Sequence, residues 1–160
     1  MKKFKTLIVF LPMIQRKQTL FLLAVAIIAI ILFFLPFQKL TTPENSWPIC
    51  LMSGCSAGKI TSNIYFPMVL NIIVLILSIA TIFLYKNRVF QFKLSNLLVL
   101  FNLMILGLFF LLDFTIIEQG SSITYQAGAF IPVISIIFAY LASHFIKKDE
   151  QMVRNADRIR

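Results

Sequence analysis

The sequence predicts an all-α integral membrane protein, a four-helix transmembrane bundle with a short cytoplasmic C-terminal amphipathic helix. Three observations carry that expectation. Only 13% of the 160 residues are charged while 59% are hydrophobic, where a soluble domain of this size carries about 25% charge to cover its surface. Four long stretches lack any Asp, Glu, Lys or Arg. Thirteen of the fifteen Lys and Arg residues fall on one side of the topology that those stretches define.

The predicted spans are about 19–37, 64–85, 94–112 and 127–146. Each supplies roughly 20 residues, which at about 1.5 Å of helical rise crosses a hydrocarbon core of about 30 Å. Apolar residues run through these stretches without period-two alternation, which favours helices over barrel strands. Together, residues 13–146 make one bundle, and 147–160 make a tail.

Orientation follows from the basic residues. Lys2, Lys3, Lys5, Arg16 and Lys17 precede the first span, and Lys86, Arg88 and Lys93 lie between the second and third. Lys147, Lys148, Arg154, Arg158 and Arg160 follow the fourth, leaving Lys39 and Lys59 opposite. The positive-inside rule puts the larger group in the cytoplasm, with both termini. The net charge of +9 is explained this way without nucleic acid as a partner. Residues 38–63 read as an irregular exterior loop in which Trp47 either anchors at the interface or packs on helix ends. The second exterior loop, near 118–125, is short.

The first twelve residues, MKKFKTLIVFLP, look like a signal peptide, but the apolar stretch is too short and no small-residue cleavage site follows. From Met13 onward the chain resembles an uncharacterised family of small four-span membrane proteins of Bacteroidetes. MIQRKQTLFLL at Met13–Leu23, FLYKNR at Phe83–Arg88 and IKKDEQMVRNADRIR at Ile146–Arg160 carry the resemblance. It implies the fold, a bacterial inner membrane and residues 1–12 as an upstream extension. It implies no activity and no site residues.

Candidate chemistry is sparse. Cys50 and Cys55, spaced C-x4-C, either close a disulfide in an oxidising periplasm or remain two thiols. The polar stretch before MSGC argues against a lipoprotein box. Asp113 and Glu118 read as a solvated helix end, since acids inside a membrane are expensive. Asn71 and Asn102 sit within spans and read as packing amides, with Ser78, Thr81, Gly107 and Ser135 as small or back-bonding partners. The sharper alternative is a transport line through Asn71, Asn102 and Asp113. Pro132 either kinks the fourth span or opens it. His144 reads as interfacial.

No metal-ligand, Ser/His/Asp or phosphate-loop pattern occurs, so the expectation is a non-enzymatic scaffold or accessory subunit that uses no cofactor. The sequence leaves its oligomeric state open. Met152, Val153, Ala156 and Ile159 recur at helical spacing in the tail. They form a candidate docking stripe for a protein partner or the inner leaflet.

Overall fold

The computed structural model describes residues 17–41, 45–52, 61–84, 87–116 and 122–158. Among them, four α-helices occur: α1 (Lys17–Phe34), α2 (Thr61–Phe83), α3 (Arg88–Ile116) and α4 (Ile131–Arg158). Three short strands accompany them: β1 (Gln38–Thr41), β2 (Ser46–Ile49) and β3 (Ser122–Tyr125). A 3-10 turn, Ala127–Phe130, leads into α4. The expected upstream extension, residues 1–12, lies outside the described residues.

Three of the helical stretches are long and apolar enough to cross a membrane: Ile64–Phe83, Arg88–Leu112 and Ala127–Gln151. The apolar stretch of α1, Gln18–Phe34, is shorter. It stops before the predicted end at Phe37 because Pro36 disfavours helical geometry at Leu35, and by Gln38 the chain is extended. Pro132 occupies the first turn of α4, where its missing N–H costs nothing. Pro67, by contrast, lies inside α2 and is buried.

Each helix packs on its sequence neighbours, and α4 closes the ring on α1. Phe21 of α1 stacks on Phe145 of α4 with centroids 5.4 Å apart. The Arg88 Nη1 donates to the Asp149 carbonyl at 3.1 Å, tying the α2–α3 turn to α4. The start of α1, the α2–α3 turn and the last turns of α4 therefore share one end of the bundle, here the tail end.

The opposite end differs from the all-α expectation. Residues 38–63 were predicted irregular, yet β1 and β2 pair antiparallel, and β3 from the second loop pairs with β1's other edge. Leu40 faces Trp47 on one side and Ile123 on the other. The protein is mostly helical with a small sheet, because three four-residue strands carry too little periodicity to show in sequence. Their strongest constraint is a pairing between segments about eighty residues apart.

Backbone bonds weld this sheet end. The Phe37 N–H donates to Ile49 O, Gln126 N–H to Phe37 O and Gly128 N–H to Pro36 O, each at 3.0 Å. Gln38 Nε2 donates to the Phe109 carbonyl at 2.8 Å, and the Phe37 and Phe109 rings stack at 4.3 Å. A Cβ on Gly128 would stand 2.5 Å from Pro36 O. Gly107, expected to let helices approach, instead faces outward, and a Cβ there would meet nothing within 4 Å.

These two glycines should respond oppositely. Gly128→Ala should cost about 1–3 kcal/mol through overpacking against backbone. Gly107→Ala should be neutral or stabilise by up to about 1 kcal/mol through helix propensity. Thermal unfolding in a mild detergent would show this; equal effects would contradict the geometry.

Candidate functional site

The buried positions of α3 are Gln91, Ser95, Leu98, Asn102, Ile105, Phe109 and Leu112, spaced alternately by four and three. α2 buries Ile64, Pro67, Asn71, Val74, Ser78 and Thr81 in the same rhythm. Gln18, Leu22, Val25, Ala29 and Leu32 do so in α1, and Pro132, Ser135, Ala139, Ala142 and Ile146 in α4. A repeat of 3.5 residues is the seam of helices that pack as a left-handed bundle. This seam is the candidate site, because polar groups gather in it while large apolar side chains face outward. Leu23, Ile31, Ile76, Phe83, Leu100 and Phe110 are all more than two-fifths exposed.

Four cross-contacts fix the relative heights of the helices. Gln91 Nε2 donates to Thr81 O at 3.1 Å, and Ser143 Oγ donates to Asn96 Oδ1 at 2.6 Å. Asn71 Nδ2 donates to the Ala29 carbonyl at 2.9 Å, and the Gln38–Phe109 bond closes the sheet end. Stepping about 1.5 Å per residue from these anchors arranges the seam in layers. Gln18, Thr81, Gln91, Ser78 and Ser95 form a polar tail-end third. Val25, Val74, Leu98 and Ala139 make an apolar layer above it. Ala29, Asn71, Asn102 and Ser135 make a second, thinner polar layer. Leu32, Pro67, Ile105 and Pro132, then Ile64 and Phe109, fill the rest.

Asn71 and Asn102 are both buried, yet they differ in use. Asn71 bonds across to α1, while Asn102 Nδ2 turns back to Leu98 O of its own helix at 2.8 Å. Ser78 and Thr81 return to Leu75 O and Leu77 O of their own helix. Gln18 Oε1, Gln91 Oε1, Ser95 Oγ and Ser135 Oγ are buried without a hydrogen-bond partner.

Asp113 follows Asn102 by eleven residues, about 16 Å along the helix, and buried Ile105, Phe109 and Leu112 intervene. The side chain of Asp113, and all of Glu118, lie outside the described residues. Cys50 is buried at the end of β2, while Cys55 lies outside them. Trp47 is 42% exposed on β2. His144 is exposed beside Lys147, Lys148 and Gln151 on one shallow face of α4. Among the described residues, no group of three His, Cys, Asp or Glu could hold a metal ion.

Sequence reasoning missed Gln18, Gln38, Gln91, Ser95 and Ser143. Gln91 precedes the predicted third span, and the signal that would have found it is the four–three spacing through Ser95, Leu98 and Asn102.

The chain matches the model of a domain of unknown function, DUF4293, over residues 14–159. No curated protein and no solved structure matches it. With its three membrane-capable helices, the chain is a membrane protein that belongs to this family of unknown function.

The two asparagines should separate experimentally. Asn71→Leu removes an interhelical bond and should lower stability by about 0.6–2 kcal/mol. Asn102→Leu loses only a bond within α3 and should cost less. Denaturation of each variant in detergent micelles would test the order; a larger loss for Asn102→Leu would contradict it.

Proposed function

We propose that this family member is a non-enzymatic, four-span protein of a bacterial inner membrane, a scaffold or accessory subunit of a membrane complex. The observation that carries the reading is the packed seam, in which, among the described residues, apolar layers interrupt the polar ones. The apolar layer at Val25, Val74, Leu98 and Ala139 separates the two polar layers. α1, whose apolar stretch Gln18–Phe34 is the shorter one, crosses as the remaining span under this reading.

Charge placement supports both termini being cytoplasmic. Lys17, Arg88, Lys93, Lys147 and Lys148 gather at the tail end, while Lys39 lies at the sheet end. Under the positive-inside rule the tail end is the cytoplasmic one. There α4 continues unbroken to Arg158, nine residues past the Asp149 that meets Arg88. That is about 14 Å of helix beyond the bundle. Such a projection suits docking to a protein partner, and continuity with α4 overcomes the weak stability of a short helix in water. The stripe at Met152, Val153, Ala156 and Ile159 would supply the contact; these side chains lie outside the described residues. Asp149, Glu150 and Asp157 interrupt the basic charge, which suits a protein surface better than anionic lipid.

A small transporter is the competing reading, and the unpartnered oxygens of Gln18, Gln91 and Ser95 are what favour it. It would require the Val25–Leu98 layer to open.

Removing Asp149–Arg160 while keeping Lys147 and Lys148 should leave insertion intact and abolish co-purification of partner proteins from native membranes. A reporter fused after Lys148 should read cytoplasmic. Unchanged partners and phenotype, or a periplasmic reporter, would contradict the proposal.

A further inference from the structure

Between α2 and α3, in the half of the bundle nearest the sheet, a groove of about 630 Å³ opens outward. Its walls include Tyr65, Phe66 and Val69 from α2 and Met104, Gly107 and Leu108 from α3. The volume falls in the range of about 300–1,000 Å³ typical of small-molecule sites. Apart from the Tyr65 hydroxyl and the weakly accepting thioether of Met104, the lining side chains are hydrocarbon only. The occupant must therefore be apolar along its length.

We propose that this groove is a binding site for one acyl chain of a membrane phospholipid, with Gly107 as the residue that makes room for it. The inference goes beyond the scaffold reading and needs only that the helices lie in a bilayer. Three observations converge on it. Gly107 is exposed and a Cβ would meet nothing within 4 Å, so no neighbour within the chain requires a glycine there. Helix propensity argues against glycine at an interior helical position by about 1 kcal/mol, so the open space itself is the feature that glycine provides.

Length is the second. The groove runs over residues 65–70 and 104–111, about 8 and 11 Å of helical rise. A partner helix spanning about 30 Å of hydrocarbon would need a far longer furrow, whereas the end of an acyl chain fits this one. The third is depth. The groove begins above the Asn71–Asn102 layer and reaches Tyr65, which is exposed near the sheet end. A tyrosine there places its ring in the hydrocarbon margin and its hydroxyl toward head groups.

The attraction is dispersion rather than the hydrophobic effect, because lipid tails are as apolar as leucine. A chain seated between two helices touches atoms on three sides, and each contact adds to the sum. Bulk lipid against a convex helix face makes fewer.

Photolabelling tests this on the full-length protein in phosphatidylethanolamine–phosphatidylglycerol vesicles doped with a phospholipid that carries a diazirine midway along one acyl chain. Labelled positions are read by peptide mass spectrometry. Residues 65–70 and 104–111 should label about tenfold more than the equally lipid-facing Val133, Ile134 and Ile137 of α4. Gly107→Leu should remove that excess, and Leu108→Phe gives a second filling variant should the first fold poorly. A melting temperature at or above wild type confirms that each variant is folded. Uniform labelling would mean ordinary boundary lipid and would overturn the proposal. Protection of the groove relative to α4 would point to a protein occupant, such as a second copy, and would also overturn it.

Discussion

A hydrocarbon solvent offers no hydrogen-bond partner, so each polar group on a membrane-embedded helix must be answered from within the protein. That constraint organises this chain. In the spanning helices the side chains of Asn71, Ser78, Thr81, Gln91, Ser95, Asn102 and Ser135 turn inward to the seam, while Tyr65 and Tyr140 face outward. Asn71, Ser78, Thr81, Gln91 and Asn102 each reach a main-chain carbonyl. Outside the seam the same helices offer isoleucine, leucine and phenylalanine. The arrangement inverts the polar-out pattern of a water-soluble bundle, and it explains why thirteen-hundredths charge suffices for a folded chain.

Because apolar side chains gain little by leaving lipid for one another, something besides hydrophobic burial must hold the helices in register. Two devices do so here. One is close packing of small residues in the α4 seam, Ser135, Ala139 and Ala142, against the neighbouring helices. The other is the set of end fastenings. Arg88 clamps the α2–α3 turn to α4, and at the far end the Pro36–Phe37 corner is bonded from β2 and from the approach to α4. Gln38 and Phe37 then lock that corner onto α3 at Phe109. The small sheet is thus a clasp over one end of the bundle, holding three chain segments whose helices diverge from it.

Much of this was legible in the sequence. Hydropathy alone marked the apolar runs that α2, α3 and α4 contain, because each has a charge or turn at its edge: Lys86 and Arg88, Lys93, and Lys147 with Lys148. Yet α3 begins six residues before the expected span and α4 runs twelve residues past it. The sheet was not legible. QKLT, SWPI and SITY are too short to show alternation, and nothing local in Gln38 announces that it will pair with both Ile49 and Tyr125. Span edges also drifted where polar residues enter the seam, since Gln91 and Ser95 look like loop chemistry until the four–three spacing is counted. Gly107 misled for a related reason. A glycine inside a membrane helix suggests close helix contact, but only the packing shows which face it occupies. The candidate site was half visible: Asn71 and Asn102 stand out in apolar surroundings, while the direction of each amide depends on which helix lies opposite.

A seam of 3.5-residue period runs through the described residues of α3. Single nitroxide labels placed at successive positions from Arg88 to Leu112, in reconstituted bilayers, would measure it through collision with oxygen and with a water-soluble nickel chelate. Oxygen accessibility should dip at 91, 95, 98, 102, 105, 109 and 112, with the nickel reagent excluded from 98 to 109. Dips that fall instead on Leu103, Met104 and Leu111, or nickel reaching Asn102, would contradict the account.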